Sequence, residues 1–85
     1  MKAHVKTYMN YFNYGIDDVI ICECCQSARA NDCHHIIYRS QGGGDNIENV
    51  IAVCRKCHIL AHAEKISKSE LQSIHNKFIE NHETS

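Results

Sequence analysis

The sequence predicts a small α+β domain: a β-hairpin and a short helix set between two flanking helices and held together by metal. Three observations predict it. The chain has 85 residues, and a domain of that size buries only roughly 60–65% of the surface its unfolded form exposes, so its core alone is marginal. It carries six Cys and seven His but no Pro and no Trp, a composition suited to a fold stapled by ions. Short β-prone runs sit between two stretches with helical apolar periodicity. The expected organisation is a single domain over residues 1–85, with a core at 22–65 and flanking helices at about 2–14 and 68–81.

Taken in order, the first helix rests on Val5, Tyr8, Met9 and Phe12, which fall at i, i+3, i+4 and i+7. Gly15 stands where a helix C-cap belongs. Tyr11 and Tyr14 are read as packing residues before nucleic-acid contacts. Val19 to Ile21 is β-rich and leads into Cys22-Glu23-Cys24-Cys25. Residues 26–32 are polar and turn-like, and Cys33 to Tyr38 is a second β-prone run. Ser40 to Asn46 is a loop whose three consecutive glycines predict flexibility. Val50 to Val53 is the third β-prone run, and His58 to Lys65 reads as a short helix. The last helix starts at Ser67, an N-cap with Glu70 three residues on, and Ile66 and Leu71 form a hydrophobic staple. Leu71, Ile74 and Phe78 continue its stripe, which is expected to pack on the first helix.

Charge excludes some partners. Nine Lys and Arg against ten Asp and Glu give a net charge of −1, so a nucleic-acid contact must come from a local patch and from bound metal. No apolar stretch approaches the ~20 residues that span a bilayer, so no membrane role is expected. Met1 to Tyr14 has no uninterrupted apolar segment of a signal peptide. The expected location is therefore the reducing cytoplasm, where Cys residues read as metal ligands before disulfides.

Two constellations carry chemistry. Cys22-x-x-Cys25 and Cys54-x-x-Cys57 each let two sulfurs of a knuckle reach one tetrahedral ion, and four thiolates suit a closed structural Zn2+ site. The 28 residues between the pairs leave room for a strand–loop–strand insertion. Two disulfides of a secreted domain, or thioredoxin-like redox use of one pair, are the competing readings. Cys24 and Cys33 are left as free thiols. The second constellation is His34-His35, Asn49, His58 and His62. The last two lie at i, i+4 on one helix face, the spacing with which two imidazoles share an ion. The helix that carries them begins where the second Cys knuckle ends.

These residues resemble a known family. Asp32-Cys33-His34-His35-Ile36, Gly42-Gly43-Gly44, Asn49 to Cys54, and Cys54-x-x-Cys57-His58-x-x-x-His62 are similar to the motif of HNH endonucleases, the ββα-metal or His-Me finger nucleases. The resemblance covers residues 22 to 62. It implies a hairpin and helix clasping one divalent ion, Mg2+, Mn2+, Ni2+ or Zn2+. It implies that His34, His58 and His62 are metal ligands and that His35 is the general base. It also implies that Asn49 holds the hairpin loop and aims that base. Many members have Asp where this chain has His34, and three imidazoles favour Zn, Ni or Mn over Mg. Small free-standing members beside phage packaging or restriction machinery imply a partner protein. Whether the chain is a monomer or a dimer is open.

Among the basic residues, Arg39 at the hairpin loop is a candidate phosphate clamp. Arg55 and Lys56 in the knuckle are candidate nucleic-acid contacts, while Lys65, Lys68 and Lys77 read as solvated helix faces. The glycine run is no P-loop, since no Gly-Lys-Ser/Thr follows. The expected activity is metal-dependent hydrolysis of DNA phosphodiester bonds with low sequence preference. A non-catalytic zinc module that binds nucleic acid or protein is the alternative, and a redox or metal-storage protein a third.

Overall fold

In the computed structural model, which describes residues 1–84, the elements run α1 (Ala3–Tyr11), β1 (Asp32–His35), β2 (Val50–Val53), α2 (Arg55–His62) and α3 (Lys68–Thr84), with short 3-10 turns at Arg39–Gln41 and Ile47–Asn49. The two strands form one antiparallel sheet, pairing Asp32 with Val53, Cys33 with Ala52, His34 with Ile51 and His35 with Val50. This is the expected small α+β fold. No helix among the described residues is long and apolar enough to cross a membrane.

β2 is buried along its whole length, and strand alternation sends its side chains into two different cores. Ile51 and Val53 join Cys22, Ile36, Cys54, Cys57, Ala61 and Leu71 on the side of α2. Val50 and Ala52 join Tyr8 and Phe12 of α1 on the other. α3 closes over both, and it packs on α1 as its stripe predicts: the Phe12 and Phe78 rings stand 5.1 Å apart. Tyr11 is part of this packing, and its hydroxyl donates to Glu83 at 2.7 Å.

Several boundaries differ from the sequence reading. α1 ends at Tyr11 instead of residue 14, and its cap is Asn13, not Gly15. Asn13 adopts φ 59°, its N–H donates to the Asn10 carbonyl, and Tyr14 N–H donates to that of Met9. That pair of bonds is a Schellman motif, which stops the helix two residues before the glycine. Val19 to Ile21 forms no strand. Only Ile21 bridges, to Arg29, because the chain turns back at once through Gln26 at φ 57°. The second run pairs only over Asp32–His35, since the loop beyond it leaves the sheet. α2 begins earlier than expected, at Arg55, because Cys54 caps it with its own sulfur, which accepts from Cys57 N–H at 3.4 Å. α2 ends in a second Schellman motif with Glu64 at φ 59°. α3 starts as the capping box predicts, with Ser67 and Glu70 bonding each other's backbone N–H at 3.0 and 3.2 Å. It runs to Thr84, three residues beyond the expected end.

Most of the glycine loop is exposed, but Gly43 packs closely. A Cβ at Gly43 would stand 1.8 Å from the Ile37 carbonyl oxygen, so only glycine allows the loop to close onto the end of β1. Gly42 adopts φ 89°, the left-handed region that glycine enters without steric cost.

Candidate active site

The sulfurs of Cys22, Cys25, Cys54 and Cys57 all lie within 4.8 Å of one another, and no disulfide joins them. Two come from the turn before the hairpin and two from the start of α2. Cys24, between the first pair, packs instead against the core and stays outside the cluster, as does Cys33. Hydrogen bonds from Ser27 bring the Cys25 thiol down to about 6, whereas burial pushes Cys24 up to about 12 and Cys33 to about 11. Burial also raises Cys57. Four soft donors at this spacing fit a closed tetrahedral zinc site.

A second cluster forms where β1 meets α2. His34 is 4% exposed, and one ring nitrogen each from His34, His58 and His62 lies within 4.8 Å of the others. The Nε2 atoms of His58 and His62 face each other at 3.0 Å. Their outer nitrogens are held. His58 Nδ1 donates to the Asp32 carboxylate at 3.0 Å, and His62 Nδ1 meets the Tyr38 hydroxyl at 3.5 Å. Carboxylate-held imidazoles are the usual outer shell of a metal site, because the bond fixes tautomer and ring orientation. Burial, with His58 and His62 close by, lowers His34 to about 4, so it is neutral at pH 7. Three imidazoles within one ion's reach fit a divalent cation, and His58 and His62 lie less deeply buried than His34, leaving the cluster open on one side.

Asn49 lies behind this face. Its carboxamide accepts from Ile37 N–H at 2.8 Å and donates to the carbonyls of Ile37 at 3.0 Å and Gly44 at 2.9 Å. It thus continues the ladder past the end of β1 and ties both ends of the loop together. His35 is not gathered into this cluster: it lies on the α1 side of the hairpin against His4 and bonds through Nε2 to the Asp45 carboxylate at 2.7 Å. That bond holds Asp45 below the usual carboxylate range, with Arg39 contributing. Arg39, Arg55 and Lys56 are exposed.

Several residues were not singled out by their sequence context. Lys68 was expected to be solvated, yet its Nζ lies 4.2 Å from the centre of the Tyr38 ring, which stacks on His62. Its positive charge also helps depress His34. Asp32, Tyr38, Asp45 and His4 support the histidines, and only Asp32 stood inside the quoted motif. Glu23 sits inside the first knuckle and is fully buried with His75. The signal for His75 was its place on the apolar stripe of α3.

The HNH endonuclease family profile matches residues 22–64, just over half of the chain. The chain belongs to the HNH endonuclease family. Neither the comparison with curated proteins nor that with solved structures returned a match.

Proposed function

We propose that this chain is a metal-dependent endonuclease that hydrolyses DNA phosphodiester bonds, working as one zinc-stapled domain with little sequence preference of its own. The observation that carries this reading is the convergence of His34, His58 and His62 on one point from two elements, with the outer nitrogens of His58 and His62 pinned by Asp32 and Tyr38. A pure binding module has no use for three imidazoles aimed at a site open on one side. In this reading Cys22, Cys25, Cys54 and Cys57 hold structural zinc, and the three histidines hold Mn2+, Ni2+, Zn2+ or Mg2+. Such an ion, when bound, supplies positive charge to the scissile phosphate and the leaving oxygen.

The chain's own residues do the rest. His35 removes the proton from the attacking water. Asp45 accepts from its Nε2–H, which leaves the Nδ1 lone pair free to take that proton. Asn49 positions His35 by fixing the loop on which Asp45 is carried. Arg39 clamps a neighbouring phosphate, with Arg55, Lys56 and Lys68 as further cations toward the backbone. Sequence choice comes from a partner, of the phage packaging or restriction kind, in a cytoplasmic setting. Plasmid nicking and elemental analysis on the same sample test the reading. Nicking that stops with chelator and returns with divalent metal supports it. A fully metal-loaded sample that nicks neither DNA nor RNA is instead a zinc-binding module.

A further inference from the structure

His34 and His35 are neighbours in sequence but face opposite sides of the hairpin, because side chains alternate along a strand. His34 faces α2. His35 faces α1, where its ring centre stands 4.4 Å from that of His4. Asp45 reaches the same place from the glycine loop, 2.7 Å from His35 Nε2. One ligand atom from each of His4, His35 and Asp45 lies within 4.8 Å of the other two. We propose that His4, His35 and Asp45 form a second divalent-cation site, separate from the His34, His58 and His62 set, and that filling it takes His35 out of service as a base. The inhibitory half of this statement rests on the role given to His35 above.

The donor set is two imidazoles and one carboxylate, which suits Zn2+ or Ni2+. It is organised before any ion arrives. A backbone carbonyl only accepts, so His4 Nε2 carries the proton in its 3.1 Å bond to Cys33 O, and His4 Nδ1 keeps its lone pair. Metal-ligating histidines are held in this way by backbone carbonyls. All three side chains are half-buried, His35 at 14% and Asp45 at 30% exposure. The site is therefore partly desolvated and still reachable. Asp45 brings a negative charge to His4, while Lys2 at His4 and Arg39 at Asp45 oppose a cation.

The consequence for His35 is one of lone-pair count. A neutral imidazole has one N–H and one lone pair. Without an ion, Nε2–H donates to Asp45 and the lone pair is on Nδ1. With an ion on Nε2, that proton moves through solvent to Nδ1, and no lone pair remains to accept a proton from water. The ring neither gains nor loses a proton overall. Asp45 thus orients the base in one state and helps sequester it in the other, so excess zinc inhibits.

The test uses the full chain with zinc alone as probe. Equilibrium dialysis should count three zinc ions per wild-type chain at saturation. The His4→Phe variant, which keeps a ring against His35 but no nitrogen, should bind two. In long-range 1H–15N spectra the ring signals of His4 and His35 should move together in a step separate from those of His34, His58 and His62. In His4→Phe the His35 signals should stay still through that titration. Nicking in saturating Mg2+ should fall as zinc rises, and His4→Phe should shift the half-inhibitory concentration upward about tenfold or more, as expected when a ligand is lost. Two ions on the wild type, or a His35 ring indifferent to zinc, overturns the site. Binding without inhibition overturns its role. A chain that nicks nothing under any metal overturns the nuclease reading and the inhibition with it, while the ion count and ring signals still decide the site.

Discussion

Asn49 does with its side chain what another strand residue would do with its backbone. Its three bonds satisfy both backbone groups of Ile37 and the Gly44 carbonyl. Asn49→Ala leaves those groups short of partners near the core and should cost about 2–4 kcal/mol, measurable as a lower denaturant midpoint. His35→Ala should leave the fold, the four-thiolate zinc and the three-histidine ion in place and reduce nicking by about 10²–10⁴, the usual worth of a positioned proton acceptor. His62→Ala should weaken the ion at the three-histidine site, with activity returning as metal is raised. Metal titration of the nicking rate separates the two, and rescue of His35→Ala by added metal would reverse the assignment. The thiols outside the cluster offer a pH-dependent check. Burial holds Cys24 at about 12 and Cys33 at about 11, so both stay protonated at pH 7. In the zinc-loaded, folded chain iodoacetamide should label both slowly at pH 7 and faster as pH rises toward 11. Fast labelling of either at pH 7 by mass spectrometry would contradict this.

α2 shows how one residue serves two purposes at the scale of an element. Cys54 is the N-cap of the helix and one of the four clustered thiols. Cys54→Ser puts a favoured capping residue at the N-cap, so a loss of folding reports the metal and not the cap. It should abolish zinc binding and with it folding free energy on the order of 10 kcal/mol, seen as lost helicity and zero zinc by elemental analysis. Full helicity with zinc retained would reject the four-thiolate site. The elements differed in how well their sequence announced them. Val50–Val53 reads correctly because a short apolar run buried on both faces has few alternatives. The run at Val19 to Ile21 has the same β-branched composition but pairs only through Ile21 with Arg29, because the chain doubles back within a few residues and leaves no length for a strand. The two Schellman ends at Asn13 and Glu64 were not legible, because neither residue is the glycine that usually marks them.

At the scale of the whole molecule, one buried polar network joins every layer. Glu23 accepts from the Tyr8 hydroxyl at 2.6 Å and from Ala52 N–H at 3.1 Å, and bonds His75 Nδ1 at 2.8 Å. His75 Nε2 reaches the Ile47 carbonyl at 2.6 Å. The network thus ties α1, the first knuckle, β2 and α3 to one point. His75→Ala would leave Glu23 buried with one partner fewer and should destabilise the chain by about 3–5 kcal/mol, read from chemical unfolding of the zinc-loaded protein. Net charge sets the other expectation at this scale. With −1 overall and only a local group of cations, few phosphates are neutralised, each contributing about 0.9 to the log–log salt slope. DNA binding should show a slope equivalent to roughly 2–4 phosphates. A slope near ten, or nanomolar binding to one sequence, would contradict it.

The sequence alone determined the small α+β class and the grouping of Cys22 and Cys25 with Cys54 and Cys57, and it set His34-His35 together with His58 and His62, the choice of His34 as ligand resting on the family resemblance. These were legible because metal donors must recur at spacings that let them reach one ion, and such spacings survive without knowledge of the fold. The packing that positions them was decided only by the tertiary structure. Strand register put His34 and His35 on opposite faces. Chain folding, not spacing, brought Asp45 and His4 to His35, Asp32 to His58, and Lys68 to Tyr38. It also seated Gly43 against the Ile37 carbonyl. Those contacts join residues distant along the chain through single side chains, and no local pattern marks such a partner before the chain has folded.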